Sequence, residues 1–212
     1  MDNSWLAGLP AEQFLALVTL MLFGTFTPGP NTTIAAVTGA NFGLRATLPH
    51  SVGVSIGFAS IVALCAAGVG ALVLASPWLA ALIHIAGVLY LLWLAIRIAR
   101  STALTDKQVL RPMTVWQSVV LQYANIKAWM LALAVAASYM AGAAAPVQRA
   151  ALVSVVFATF GFVSNGFYGM LGASLRQWLS HGRRVLWFNR GMGLALGLTA
   201  LWIALGARPG GH

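Results

Sequence analysis

Six long apolar segments, almost free of charge, constrain this chain more than any motif in it. Read by length, flanking charge and Gly/Pro punctuation, they run over residues 12–40, 48–75, 77–98, 114–141, 147–174 and 187–206. About 20 apolar residues cross a bilayer core as a helix, so every segment is long enough to span. Composition points the same way. Of 212 residues, 60% are hydrophobic and 7% charged, and the mean hydropathy is +0.86; a soluble domain carries about 25% charged residues. The expected fold is an all-α integral membrane protein of six transmembrane helices, a single domain over residues 1–212 in contact with the lipid bilayer.

The basic residues set the orientation. Of twelve Lys and Arg, nine lie in or beside the loops between segments one and two, three and four, and five and six: Arg45, Arg97, Arg100, Lys107, Arg111, Arg176, Arg183, Arg184 and Arg190. The opposite side holds Arg149 and Arg208, and Lys127 lies inside a segment. Short loops rich in Lys and Arg stay cytoplasmic, which puts both termini outside, in the periplasm if the membrane is a bacterial inner one. The net charge of +9 is thus a topology signal, and with no long basic face it excludes nucleic acid as a partner. Trp5, Trp78, Trp178, Trp187 and Trp202 fall near segment ends, as interfacial anchors do. The single cysteine, Cys65, permits no internal disulfide. The N-terminal MDNSWLAGLPAEQF lacks the basic start of a cleavable signal.

The first and fourth segments are oversized, at about 30 residues where about 20 suffice. Each is interrupted part-way, by TPGPN at 27–31 and by NIK at 125–127. Proline removes a backbone donor and clashes with the carbonyl four residues earlier. Pro28, Gly29 and Pro30 therefore release carbonyls, and released backbone survives in hydrocarbon only inside protein or along a wet cavity. A packed kink is one reading of TPGPN; a cavity-lining break is the other. Interrupted segments in corresponding positions of two halves mark a transporter's central site. The halves here would be 1–105 and 106–212, inverted as three plus three.

Lys127 is costly in mid-membrane, by about 2.5–3.5 kcal/mol on insertion scales. Snorkelling to the cytoplasmic edge would relieve it, but Arg111 and Pro112 mark an interface about 20 Å away along a helix, beyond a lysine's reach. Asn125, Gln122 and Tyr123 would keep it polar company. The only carboxylates, Asp2, Glu12 and Asp106, lie near ends or loops. A carboxylate cage for a metal is absent, no cofactor is implied, and a cationic substrate would lack a counter-ion. A buried cation with released carbonyls suits a zwitterion: Lys127 and helix N-termini for its carboxylate, carbonyls around Pro28 for its ammonium. Thr27, Asn31, Tyr123, Asn125, Lys127 and Asn165 are the candidate substrate-facing residues. His50 and His84 are candidates for proton coupling or, equally, capping and packing histidines. GVSIG at 53–57 matches the G-x-S-x-G nucleophile elbow and would offer Ser55 to an intramembrane hydrolase. The elbow needs a strand–turn–helix, however, and inside an apolar helix Gly53, Ser55 and Gly57 read as a packing face.

At these residues the chain resembles the LysE/RhtB family of amino-acid exporters. TFTPGPNTTIAAVTGANFGLRATLPHSVGVSIGF, residues 25–58, is similar to the family's Pro-Gly-Pro-Asn signature and Gly-rich second helix, and LQYANIKAWM, residues 121–130, falls where the family has Asn-Pro-Lys. The resemblance covers nearly the whole chain. It implies efflux of neutral amino acids or close derivatives across the bacterial inner membrane, driven by the proton-motive force, and leaves room for a homo-oligomer. Ile126 stands where the family has proline, which implies a softer second break. The Asn-aliphatic-Lys form looks most like the cysteine/O-acetylserine exporter branch. The charge pattern makes a direct prediction. Alkaline phosphatase fused to the C-terminus is expected to be active and a green fluorescent fusion dark; the reverse would put that terminus in the cytoplasm.

Overall fold

Proline and glycine set where the helices start and stop. The computed structural model describes residues 9–68, 75–102, 111–140, 143 and 145–206. The first segment is two helices, α1 (Ala11–Phe26) and α2 (Pro30–Phe42), bent by 57°. Gly43, at φ 88°, takes the left-handed turn that ends α2 and opens a short 3-10 stretch, Leu44–Thr47. Then follow α3 (Leu48–Ala66) and α4 (Pro77–Arg100). The fourth segment is α5 (Val115–Tyr123) and α6 (Ile126–Tyr139), bent by 69°. A long α7 (Pro146–Ser174), the single turn α8 (Arg176–Leu179) and α9 (Arg184–Gly206) complete the chain. α2, α3, α4 and α7 each carry proline in the first turn, where its missing N–H has no helical partner to lose. α5 opens on a capping box, in which the Gln117 N–H donates to Thr114 Oγ1 (3.2 Å) and the Thr114 N–H to Gln117 Oε1 (3.0 Å).

The protein is all-α among its described residues and spans the membrane several times. Three unbroken helices, Leu44–Ala66, Pro146–Ser174 and Arg184–Leu205, are long and apolar enough to cross, and the two bent pairs bring the number to five. The expected segment 77–98 is α4, whose 24 residues run about 36 Å. The expected segment 48–75 is shorter as a helix: α3 ends at Ala66, and residues 69–74 lie outside the described residues. Trp5, Asp2, Asp106, Lys107 and Arg208 also lie outside them, as does part of the 141–149 turn.

Small residues bring the helices together backbone to backbone. A Cβ on Gly39 of α2 would stand 2.0 Å from the Gly169 carbonyl oxygen of α7, and one on Gly172 would stand 2.0 Å from that of Ala36. Gly53 meets the Val115 carbonyl of α5 in the same way, Gly57 meets Gln122, and Gly193 of α9 meets Ala95 of α4. Lipid tails are as apolar as leucine, so close approach and dispersion hold such seams. Gly53 and Gly57 thus form the packing face expected of them. α3 also packs on α7, with Phe58 edge-on to Phe157 at 4.7 Å between ring centroids. α4 packs on α9 in turn.

α2 lies at the centre. Every residue from Pro30 to Asn41 is buried. At its C-terminal end Asn41 Nδ2 donates to Asn189 Oδ1 of α9 (3.0 Å), and Asn189 Nδ2 donates to Asn41 Oδ1 and to the Ser101 carbonyl (both 3.3 Å). The seam between α2 and α7 makes a clear prediction. Gly39→Ala is expected to lower stability by about 1–3 kcal/mol through overpacking. Gly166→Ala, also on α7 but with nothing within 4 Å of the added Cβ, is expected to be neutral or mildly stabilising, since alanine is the better helix former. Thermal unfolding in detergent checks the pair, and equal midpoints would refute the backbone contact.

Candidate functional site

In a continuous helix the carbonyl of Phe26 would accept from residue 30, but Pro30 has no N–H. The Tyr168 hydroxyl of α7 takes its place, donating to the Phe26 carbonyl at 2.8 Å. The Thr27 carbonyl accepts from Lys127 Nζ at 3.3 Å. The Gly29 N–H donates to Thr32 Oγ1 at 2.9 Å, closing the N-terminus of α2, while the Thr27 hydroxyl turns back to the Phe23 carbonyl. TPGPN is therefore more than a kink: three side chains complete what the prolines interrupt.

The second break is not the softer one. Its bend, 69°, exceeds the 57° of the first, although Ile126 replaces proline. Asn125 turns extended (φ −94°, ψ 97°) and caps α6. The Tyr123 carbonyl, released by the turn, accepts from Trp129 Nε1 at 2.9 Å. The Ala124 carbonyl lies against α4 at Gly87, where a Cβ would come within 2.1 Å of it. A side-chain donor and a glycine notch hold this bend without help from proline.

The two breaks meet at a polar cavity of about 30 Å³, walled by Thr27, Gly29, Asn31, Asn125, Lys127 and Asn165 with neighbouring residues. Lys127 is the only charged residue on that wall. Its ammonium meets the first break between a 16-residue limb and a 13-residue limb, about 24 and about 20 Å long. On the other side of Lys127 opens an apolar groove of about 650 Å³, bounded by Ile126, Met130 and Ala134 of α6 and by Leu198, Trp202 and Ile203 of α9. Thr27, Gly29, Pro30 and Lys127 line both spaces; Pro28 lines the groove alone.

The other expected site residues divide between brace and periphery. Asn31 Nδ2 donates to Gln122 Oε1 (2.9 Å), and Gln122 Nε2 donates back to Asn31 Oδ1 (3.1 Å), so one amide pair links α2 to α5. His50, fully buried on α3, lies 3.1 Å by Nε2 from the Asn31 carbonyl and 2.9 Å by Nδ1 from Ser118 Oγ. Tyr123 is directed elsewhere, its hydroxyl donating to Ser60 Oγ at 2.8 Å. His84, on α4, is not among the residues lining either space. The Ser55 hydroxyl donates to the Ser51 and Ala158 carbonyls (3.0 and 2.8 Å). Ser55 donates to two carbonyls, and His50, one of the two histidines that could serve as its base beside His84, is committed to Ser118 and Asn31, so the geometry gives the elbow reading no support. The carbonyls near Pro28 also differ from expectation. Those of Phe26 and Thr27 already have protein donors, and the acceptors left bare are Asn125 Oδ1 and Asn165 Oδ1. Each costs about 1–3 kcal/mol while unpaired.

Sequence reasoning missed Tyr168, Trp129 and Gly87. Their only signal is a hydroxyl, an indole N–H and a glycine in apolar runs, and none carries the address of the carbonyl it serves.

Two bent spans, whose released backbone and one half-buried cation meet at a cavity, make the build of a membrane transporter rather than an enzyme. The chain belongs to the LysE type translocator family, whose model matches residues 22–206. Among curated relatives, a cysteine/O-acetylserine efflux protein of Klebsiella pneumoniae is 30% identical over 177 residues, 81% of this chain and 88% of that protein. Proteins of the same description from Salmonella paratyphi A and Escherichia coli O139:H28 are each 26% identical over 190 residues, 90% of this chain and 94% of theirs. No solved structure matches the chain.

The brace between the breaks is testable by a double-mutant cycle. Gln122→Met strands the buried Asn31 amide and is expected to cost about 1–3 kcal/mol. Adding Asn31→Leu is expected to recover part of that loss, because both polar partners are then gone. Thermal unfolding of the four proteins reads the coupling, and strict additivity would mean that the pair contributes nothing.

Proposed function

We propose that this chain exports neutral amino acids or close derivatives, in the size class of cysteine and O-acetylserine, from the cytoplasm across a bacterial inner membrane. The observation that carries the reading is Lys127: a lone intramembrane cation at the meeting point of two bent spans, with no carboxylate on the cavity wall. A substrate carboxylate satisfies it, helped by the N-terminus of α6, in whose first turn Lys127 sits. A cationic side chain would meet only repulsion there, which disfavours lysine and arginine. The curated relatives support the substrate class and the direction of this reading, since the three described above are named as efflux proteins for cysteine and O-acetylserine. Both termini lie in the periplasm on this reading, and the halves 1–105 and 106–212 move against each other around the site.

The proton-motive force drives export, and His50 is its reader. A carbonyl can only accept, so Nε2 bears a hydrogen toward the Asn31 carbonyl in either charge state. Neutral His50 accepts the Ser118 hydroxyl at Nδ1. Protonated His50 donates there, and the Ser118 hydroxyl turns to the Thr114 carbonyl, 3.0 Å away. One proton thereby alters contacts to α2 and α5, one limb of each bent span. His84 has no such link to both spans.

Transport into inside-out vesicles tests both parts. Lys127→Met is expected to reduce accumulation of the transported amino acid at least tenfold. His50→Asn is expected to keep exchange of labelled for unlabelled substrate while losing its response to an imposed proton gradient. Full gradient-driven transport by Lys127→Met sinks the site, and by His50→Asn sinks the coupling.

A further inference from the structure

We propose that the side-chain oxygens of Asn125 and Asn165 are the subsite for the substrate's α-ammonium, and that through them the protein selects primary amines. This rests on the amino-acid reading above and assigns to two amides the role first expected of the released backbone.

The assignment follows from counting acceptors around the small cavity. Its hydroxyls each already have a protein partner, Thr25 donating to the Met21 carbonyl (2.7 Å), Thr32 to that of Gly29 (3.0 Å) and Ser164 to that of Gly161 (3.2 Å), and keep only lone pairs for a secondary contact. The Asn31 amide is closed by Gln122. The Phe26 and Thr27 carbonyls are held by Tyr168 and Lys127. Among the described residues, two buried side-chain oxygens on the cavity wall have no hydrogen-bond partner of any kind, Asn125 Oδ1 and Asn165 Oδ1, on residues 5% and 1% exposed. The orientation of Asn165 is fixed, because its Nδ2 donates to the Gly161 carbonyl at 2.8 Å and leaves the oxygen free.

A primary ammonium carries three donors and no acceptor, the complement of this pair. A carboxylate offers no donor at all, a 2-hydroxy acid offers one, and an N-acetylated amine offers one and adds bulk. The dimensions agree. About 30 Å³ takes a group the size of an ammonium or a water or two, but not a whole amino acid. Lys127 stands at the junction with the apolar groove. The substrate is therefore held with its ammonium inward on the two amides, its carboxylate on Lys127 and its side chain toward the groove.

The test is competition for transport in inside-out vesicles, with labelled cysteine, O-acetylserine and leucine as the probes. Each is competed with its unlabelled parent, its N-acetyl derivative or, for leucine, the 2-hydroxy acid. In the wild type the parent is expected to compete at least tenfold better than either analogue. Asn165→Leu and Asn125→Leu are expected to weaken the parent about tenfold and leave the analogues nearly unchanged, so that discrimination collapses. Lys127→Met is expected to weaken parent and analogues together. Asn165→Asp and Asn125→Asp, which keep the acceptor, are expected to retain discrimination, and this separates loss of the subsite from loss of folding. The proposal is overturned if wild-type protein accepts the N-acetyl analogues as well as their parents, if the leucine variants transport with discrimination intact, or if the aspartate variants lose discrimination while still transporting. Wild-type vesicles that transport none of the probes would instead sink the amino-acid reading, and the subsite with it.

Discussion

In hydrocarbon a backbone carbonyl without a donor costs several kcal/mol, and the centre of this protein is arranged around that cost. Bending two spans releases carbonyls at Phe26, Thr27 and Tyr123. Each is met by a side chain from another part of the chain: Tyr168, Lys127 and Trp129. Those donors fix which helices adjoin the breaks. Tyr168 ties α7 to the first break, Lys127 ties the first break to the second, and Trp129 holds the turn between α5 and α6. The cation thus satisfies a released carbonyl and charges the cavity from one wall. Removing it would strand an acceptor as well as a charge.

Much of this arrangement was legible in the sequence, and the parts that were not share a cause. The apolar segments and both interruptions follow from composition, proline chemistry and the length a bilayer demands, all local properties. Lys127 was legible because a charge in an apolar run needs a reason. The sharpness of the second bend was not. A proline is visible in one residue, whereas this bend rests on Gly87, Asn125 and Trp129, which only the fold brings together. The donor to Phe26 lies 142 residues away. Asn31 and Tyr123 look as polar on paper as Asn125 and Asn165. What separates them is whether Gln122 or Ser60 has already taken the hydrogen bond, and sequence spacing carries no record of that.

The two spaces beside Lys127 differ in size and in character, yet little divides them. The partition is formed by Gly24, Thr27, Gly29 and Pro30 at the first break and by Lys127 and Leu131 of α6, which line both spaces. Rigid elements stand on either side: α2 is locked to α7 along a glycine seam, and α4 to α9 along another. Motion that joins the spaces need not disturb either seam. The small cavity and the groove thus adjoin at the first break without either glycine seam lying between them.

α2 has a consequence for how the protein is made. It leaves the ribosome early and, from Pro30 to Asn41, is buried on every side in the finished molecule. Its side chains include Asn31, Thr32, Thr33, Thr38 and Asn41, poor company for lipid. The partners that cover it come much later: Gln122, the glycines of α7 from Pro146 onward, and Asn189. At about 5–20 residues per second, the wait for α7 is on the order of 5–20 s. During that interval the polar side chains of α2 are without the partners that satisfy them in the finished fold, so the packing of the first bent span is completed only by the last helices made.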